Sequence, residues 1–142
     1  MGLLNPTPGE VVDRLTILEL KITAAGKRNA PTAELQAEQL QLQQLMREHE
    51  QAVIEDCMGD DDLWETKQNQ IRIVTNGLAA VNALLWECED NVRELPVTEA
   101  LKLAALAKQI ARLNDNRATL KKELSELYGL KETEQKMYKS GL

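Results

Sequence analysis

Residues 71 to 95 carry the feature that most restricts the fold: Ile71, Val74, Leu78, Val81, Leu85, Cys88, Val92 and Leu95 recur in unbroken steps of three and four. That spacing puts every one of them on a single stripe of an α-helix and is incompatible with a strand, whose side chains alternate every second residue. The helical pattern extends from Leu63 to Leu95, roughly 50 Å at 1.5 Å per residue. A helix this long with one apolar stripe needs a partner helix along its length, in coiled-coil fashion.

The partner follows in the chain. Pro96 stops the long helix, Thr98 can cap the next, and Leu103, Leu106, Ile110, Leu113, Leu120, Leu124 and Leu127 repeat the same steps before Gly129 supplies a C-terminal stop. A shorter helix and another long one precede this pair. Thr7-Pro8-Gly9-Glu10 has the form of a capped helix start, and the helix runs to about Ala25. Its main apolar face is Val11, Leu15, Leu18 and Ile22, but Ile17 and Leu20 point elsewhere, so the helix is apolar on two sides and belongs in the centre or at a subunit interface. Pro31-Thr32 opens a second helix, to about Cys57, with Leu35, Leu42, Leu45, His49 and Val53 inward; His49 reads as a partly buried structural histidine. The aspartates of "MGDDD", residues 58 to 62, cap the third helix. The expectation is one all-α domain over residues 1–142, an antiparallel bundle with long coiled-coil-like helices, a short tail at 1–6 and a polar tail at 130–142.

Composition narrows the function classes. Aromatic residues are 3% of the chain with no Phe, so the core is aliphatic. The 17 Lys and Arg are interleaved with 23 acids for a net charge of -6, which argues against a nucleic-acid footprint. No apolar run is long enough to span a bilayer, and "MGLLNPTPGE" has neither the form of a signal peptide nor that of a myristoylation site, so a cytoplasmic protein is expected. Two cysteines, Cys57 and Cys88, are too few for a disulfide framework.

Against this apolar patterning, polar residues gather at a few positions. The step between Leu113 and Leu120 lands on Arg117, a guanidinium in an apolar seam. Asn114 and Lys121 share its face. On the third helix Asn82, Trp86, Glu89 and Arg93 lie in a line bordered by Asp90, and Glu19 falls near the apolar face of the first helix. Two readings are open. In one, Arg117 is neutralised by Glu89, Asp90 or Glu19 and fixes the register of the bundle. In the other, Arg93, Arg117 and Lys121 converge on an anionic ligand, Trp86 or Tyr138 offers a flat face, and carboxylates orient hydroxyls. The surplus of cations on these stripes favours the second, and predicts that Arg117→Met removes any stabilisation by anions.

Four blocks, "GEVVDRLTILELK" (9 to 21), "LWECEDNVR" (85 to 93), "NDNRATLKK" (114 to 122) and "EQKMY" (134 to 138), resemble successive signature blocks of a family of small helical bacterial and phage proteins, a domain of unknown function. The last block is short and has Met137 where a small polar residue is expected. The resemblance implies that Glu10, Asp13, Glu19 and Lys21 are characteristic of the family, as are Trp86, Glu89, Asp90 and Arg93, then Asn114, Asp115, Arg117 and Lys121, and finally Lys136 and Tyr138. It implies no activity.

The reading taken from these residues is a non-enzymatic, homo-oligomeric protein that binds a small anionic, nucleotide-like ligand without a cofactor or metal, through Glu19, Trp86, Glu89, Asp90, Arg93, Asn114, Arg117, Lys121, Lys136 and Tyr138. A phage-type protein that sequesters a signalling nucleotide fits it. The alternative is a magnesium-dependent all-α nucleotide pyrophosphohydrolase, for which Glu87 with Asp90 and Glu10 with Asp13 have E-x-x-D spacing but the fuller E-E-x-x-E element is missing. A third is a structural or adaptor module whose seams mediate assembly.

Overall fold

The structure, a computed structural model, describes residues 6–130. Four helices follow one another: α1 (Pro8–Lys27), α2 (Ala33–Asp56), α3 (Asp61–Glu94) and α4 (Ala100–Leu127), with no strand among the described residues. Their ends are set locally. The Thr7 side chain accepts a hydrogen bond from Glu10 N at 3.2 Å with Pro8 in the first turn, and Asp60 Oδ1 accepts from Leu63 N at 2.9 Å. Gly129, at φ 95°, takes the left-handed conformation that ends α4. The fourth helix starts later than its sequence suggests, with Glu99 rather than Thr98 at the N-cap and no side-chain cap bond.

Helix directions alternate. Gly9 and Asp13 on α1 meet Ser125 and Arg117 on α4, while Lys67 on α3 reaches the Leu127 carbonyl and Gly77 faces Leu120. Both pairings run antiparallel, giving an up-down-up-down bundle. The two-sided first helix is central: α1 packs against each of the other three, α3 and α4 run along one another, and α2 rests mainly on α1.

The seams are where the spacing puts them. Leu78, Leu85, Cys88, Leu113 and Leu124 are buried, and the remaining seam positions of α3 and α4 are half-buried. One apolar cluster unites Val11 and Leu18 of α1 with Met46 and Val53 of α2, Leu78 of α3 and Leu124 of α4. A second, around Leu85, Cys88 and Leu113, draws on α3 and α4 alone. The outer half of that hairpin therefore holds itself. His49 is half-buried with its ring 6.4 Å from that of Tyr128, edge to face. Both cysteines are buried and free, and none of the described helices is long and apolar enough to cross a membrane.

Candidate functional site

The guanidinium in the α4 seam has its counterpart on α1. Arg117 Nε donates to Asp13 Oδ1 at 2.8 Å and Arg117 Nη2 to Asp13 Oδ2 at 2.6 Å, a bidentate pair closing 104 residues of sequence. From α3, Asn82 Nδ2 donates to the same Oδ1 at 2.9 Å and to Thr16 Oγ1 at 2.7 Å, and Thr16 Oγ1 donates to the Asp13 carbonyl at 2.7 Å. Three helices are thus tied by one polar knot, with every buried side-chain polar atom among the described residues partnered. The acid that pairs with Arg117 is Asp13 rather than Glu89, Asp90 or Glu19. Glu89 acts on Arg117 only through its charge.

Close approach of α1 to α4 makes this geometry possible. Gly9 N donates to Ser125 Oγ at 2.9 Å, and a Cβ on Gly9 would lie 2.0 Å from the Lys121 carbonyl oxygen. Ser125 is itself buried. Burial of Asp13 works against its charge, but hydrogen bonds from Arg117 and Asn82 and the positive charges of Arg117 and Lys121 outweigh it and hold its pKa below the usual 3.8. On Arg117 the hydrogen bonds to Asp13 outweigh burial and raise the pKa. For His49, burial favours the neutral ring and lowers the pKa below 6.5, against the opposing influence of the Pro6 carbonyl and Glu48.

These shifts set an acid profile. A folded pKa below the unfolded value means that the unfolded chain takes up the proton first, so stability is lost as pH falls. The first loss, below pH 6.5, belongs to His49; the second, below pH 3.8, to Asp13. Urea unfolding at stepped pH is expected to show both, with His49→Gln flattening the first and Asp13→Asn the second.

The other expected site residues divide into separate places. Arg93 is exposed and paired with Asp90 one turn back on α3, and Asn114 is exposed one turn before Arg117. Lys136 and Tyr138 lie outside the described residues. Glu19 and Trp86 do come together, on a groove of about 620 Å³ between α1 and α3. Glu19 is exposed at its rim, not set in the apolar face. Thr16, Thr23 and Ala24 of α1 and Ala79 of α3 line the middle, and Lys27 and Arg28 close the end at the C-terminus of α1. Asp90 and Arg93 follow Trp86 by one and two turns on the same side of α3.

Sequence reasoning missed Lys27 and Arg28, which sit in a segment that reads as a helix break, and left Asp13 to the family signature. The missed signal was available. Extending the second apolar side of α1 backwards from Leu20 and Ile17 by steps of four passes through Asp13 and Gly9, the two residues that meet α4.

No group of three or more His, Cys, Asp or Glu among the described residues is placed to hold a metal ion. In particular, Asp13 of the E-x-x-D pair on α1 is taken by Arg117 and Asn82. No protein-family model, curated protein or solved structure matches the chain.

Proposed function

We propose that this is a non-enzymatic binding protein for a small anionic, nucleotide-like ligand, held in the groove between α1 and α3. The observation that carries the reading is the sharing of one groove by the Trp86 ring, the Glu19 carboxylate and the two cations Lys27 and Arg28. An aromatic face takes a planar base, worth roughly 1–3 kcal/mol per stacked base. A guanidinium and an ammonium take phosphate, the first in two-pronged fashion. A carboxylate accepts hydrogen bonds from sugar hydroxyls. Glu19 and Lys27 are eight residues apart on α1, roughly 12 Å along its axis, so the acidic and basic ends of the ligand are separated by about two turns. The α1 dipole places about half a negative charge beside Lys27 and Arg28, which leaves the larger part of their charge for a ligand.

In this reading Arg117 is a positioning residue. By holding Asp13 it fixes α1 against α3 and α4, and with it the wall of the groove that carries Glu19, Lys27 and Arg28. Magnesium-dependent hydrolysis has no grouped carboxylates among the described residues to favour it.

Tryptophan fluorescence tests the proposal. In a Trp64→Phe background only Trp86 emits. Titration with nucleoside mono-, di- and triphosphates and cyclic dinucleotides is expected to quench it for at least one class, and Trp86→Ala to weaken that binding at least tenfold, as measured by calorimetry. No binding across the panel, or binding unchanged in Trp86→Ala, would sink the reading.

A further inference from the structure

α2 and α3 stand on either side of a second groove, of about 900 Å³, with α1 as its floor. Val12, Leu15, Met46 and Ile71 make its base apolar, and Trp64 and Tyr128 close one end. The described residues finish at that end. Gly129 turns the chain off the α4 axis at φ 95°, the Leu130 amide donates back to the Ser125 carbonyl at 2.9 Å, and a Cβ on Gly129 would lie 3.9 Å from Asp56 Oδ2 at the foot of α2. Residues 131–142 therefore start at the mouth of the groove.

We infer that this C-terminal segment is the occupant of the groove, seated between α2 and α3 through Glu134, Met137 and Tyr138. Counted at helical spacing, these three fall on one face with Leu130, which makes an apolar stripe interrupted by a single acid. The groove is its complement. Above the apolar base it carries one guanidinium on each lip, Arg47 on α2 and Arg72 on α3, and neither forms an ion pair among the described residues. Each is held instead by an amide one turn back, Arg47 by Gln44 at 3.1 and 2.7 Å and Arg72 by Asn69 at 3.2 Å. At 1.5 Å per residue Arg72 lies roughly 12 Å from Trp64, and Arg47 roughly 14 Å from Asp56, so the two stand at one height. Glu134 is roughly 9 Å beyond Tyr128 on the same count, and its side chain spans the remainder.

Charge favours the same occupant. The segment carries Lys131, Lys136 and Lys139 against two glutamates, whereas the second half of α2 sets Glu48, Glu50, Glu55 and Asp56 against Arg47 alone. A second copy of α2 would meet its own acids there. Lys131 borders the apolar face of the segment and answers Glu50 of the lining. The other end of the chain starts elsewhere, because the Pro6 carbonyl engages His49, which does not line the groove.

Disulfide trapping in the full chain tests the placement while leaving Glu134, Met137, Tyr138 and both arginines in place. In a Cys57→Ala, Cys88→Ala background under a glutathione buffer, Thr133→Cys is expected to link within the chain to Gln68→Cys on one lip or Glu50→Cys on the other, where Cβ atoms approach to roughly 3.5–4.5 Å. Gln70→Cys, exposed on the opposite side of α3 and within the same length of chain, is expected to stay free. A second readout needs no cysteine. With Trp86→Phe only Trp64 emits, and Met137→Ser with Tyr138→Ser is expected to let acrylamide quench that emission roughly twofold more efficiently, because the segment covering the indole is released. No link to either lip, equal linking at Gln70→Cys, or quenching unchanged by the two serines would overturn the inference. Links that form only between chains would also overturn it and assign the groove to the segment of a second copy.

Discussion

Replacing Arg117 with methionine is expected to cost about 3 kcal/mol, the low end of what removing one partner of a buried ion pair costs. The carboxylate of Asp13 is 4% exposed and keeps only Asn82 once the guanidinium is gone. For a chain of this size that is a fall of roughly 10 °C in Tm. Asp13→Leu is expected to cost less, because Arg117 is 30% exposed and its freed guanidinium can reach water. The double variant Asp13→Leu with Arg117→Met is expected to recover much of the loss, since a charge pair and an apolar pair of similar volume are often close in stability. Chemical denaturation of the four proteins of this cycle checks the order. Additive single effects would mean that the two side chains do not depend on one another, contrary to the bidentate geometry.

Gly9→Ala is expected to reverse the usual sign of a glycine-to-alanine change in a helix. In an ordinary helical position the added methyl stabilises by roughly 0.5–1 kcal/mol. Here its carbon would lie 2.0 Å from the Lys121 carbonyl oxygen and 2.8 Å from Ser125 Oγ. Backbone cannot swing aside as a side-chain tip can. The start of α1 must lift from α4, which stretches the Gly9 to Ser125 hydrogen bond and adds strain, together about 3 kcal/mol or more. Gly26→Ala, with nothing within 4 Å of the new carbon, is the matched control and is expected to be neutral or stabilising. Thermal unfolding of the two variants side by side measures the difference; equal Tm values would show that α1 and α4 are not in close contact.

Why much of this was legible in the sequence, and some of it was not, comes down to periodicity. The α3 and α4 seams are local repeats, so their spacing alone gives helix type, length and inward face, and every residue named from it is buried or half-buried. The turn at Asp60 and the stop at Gly129 follow from side-chain and backbone chemistry within four residues. Pairing across 104 residues has no such local signature. Arg117 announced itself as a break in a pattern, yet its partner had to be chosen among nearby acids, and the α3 stripe stood closer in sequence than Asp13. Helix propensity also says nothing of a groove formed where α1 and α3 lie side by side. Lys27 and Arg28 became candidates by lining that groove, whereas Glu19 and Trp86 were visible as polar or aromatic positions out of place on their own helices.

The two roles given to the cations can be separated by one comparison of ligand-induced thermal shifts. The charge-free double variant Asp13→Leu with Arg117→Met and the groove variant Lys27→Gln with Arg28→Gln are each heated with and without the nucleotide class that quenches Trp86. A ligand that binds the folded state raises Tm by mass action. The account predicts that the shift survives in the first variant and is lost in the second, which removes the groove cations while leaving the Asp13–Arg117 pair intact. Loss of the shift in the first with retention in the second would place the anion on Arg117 and contradict it.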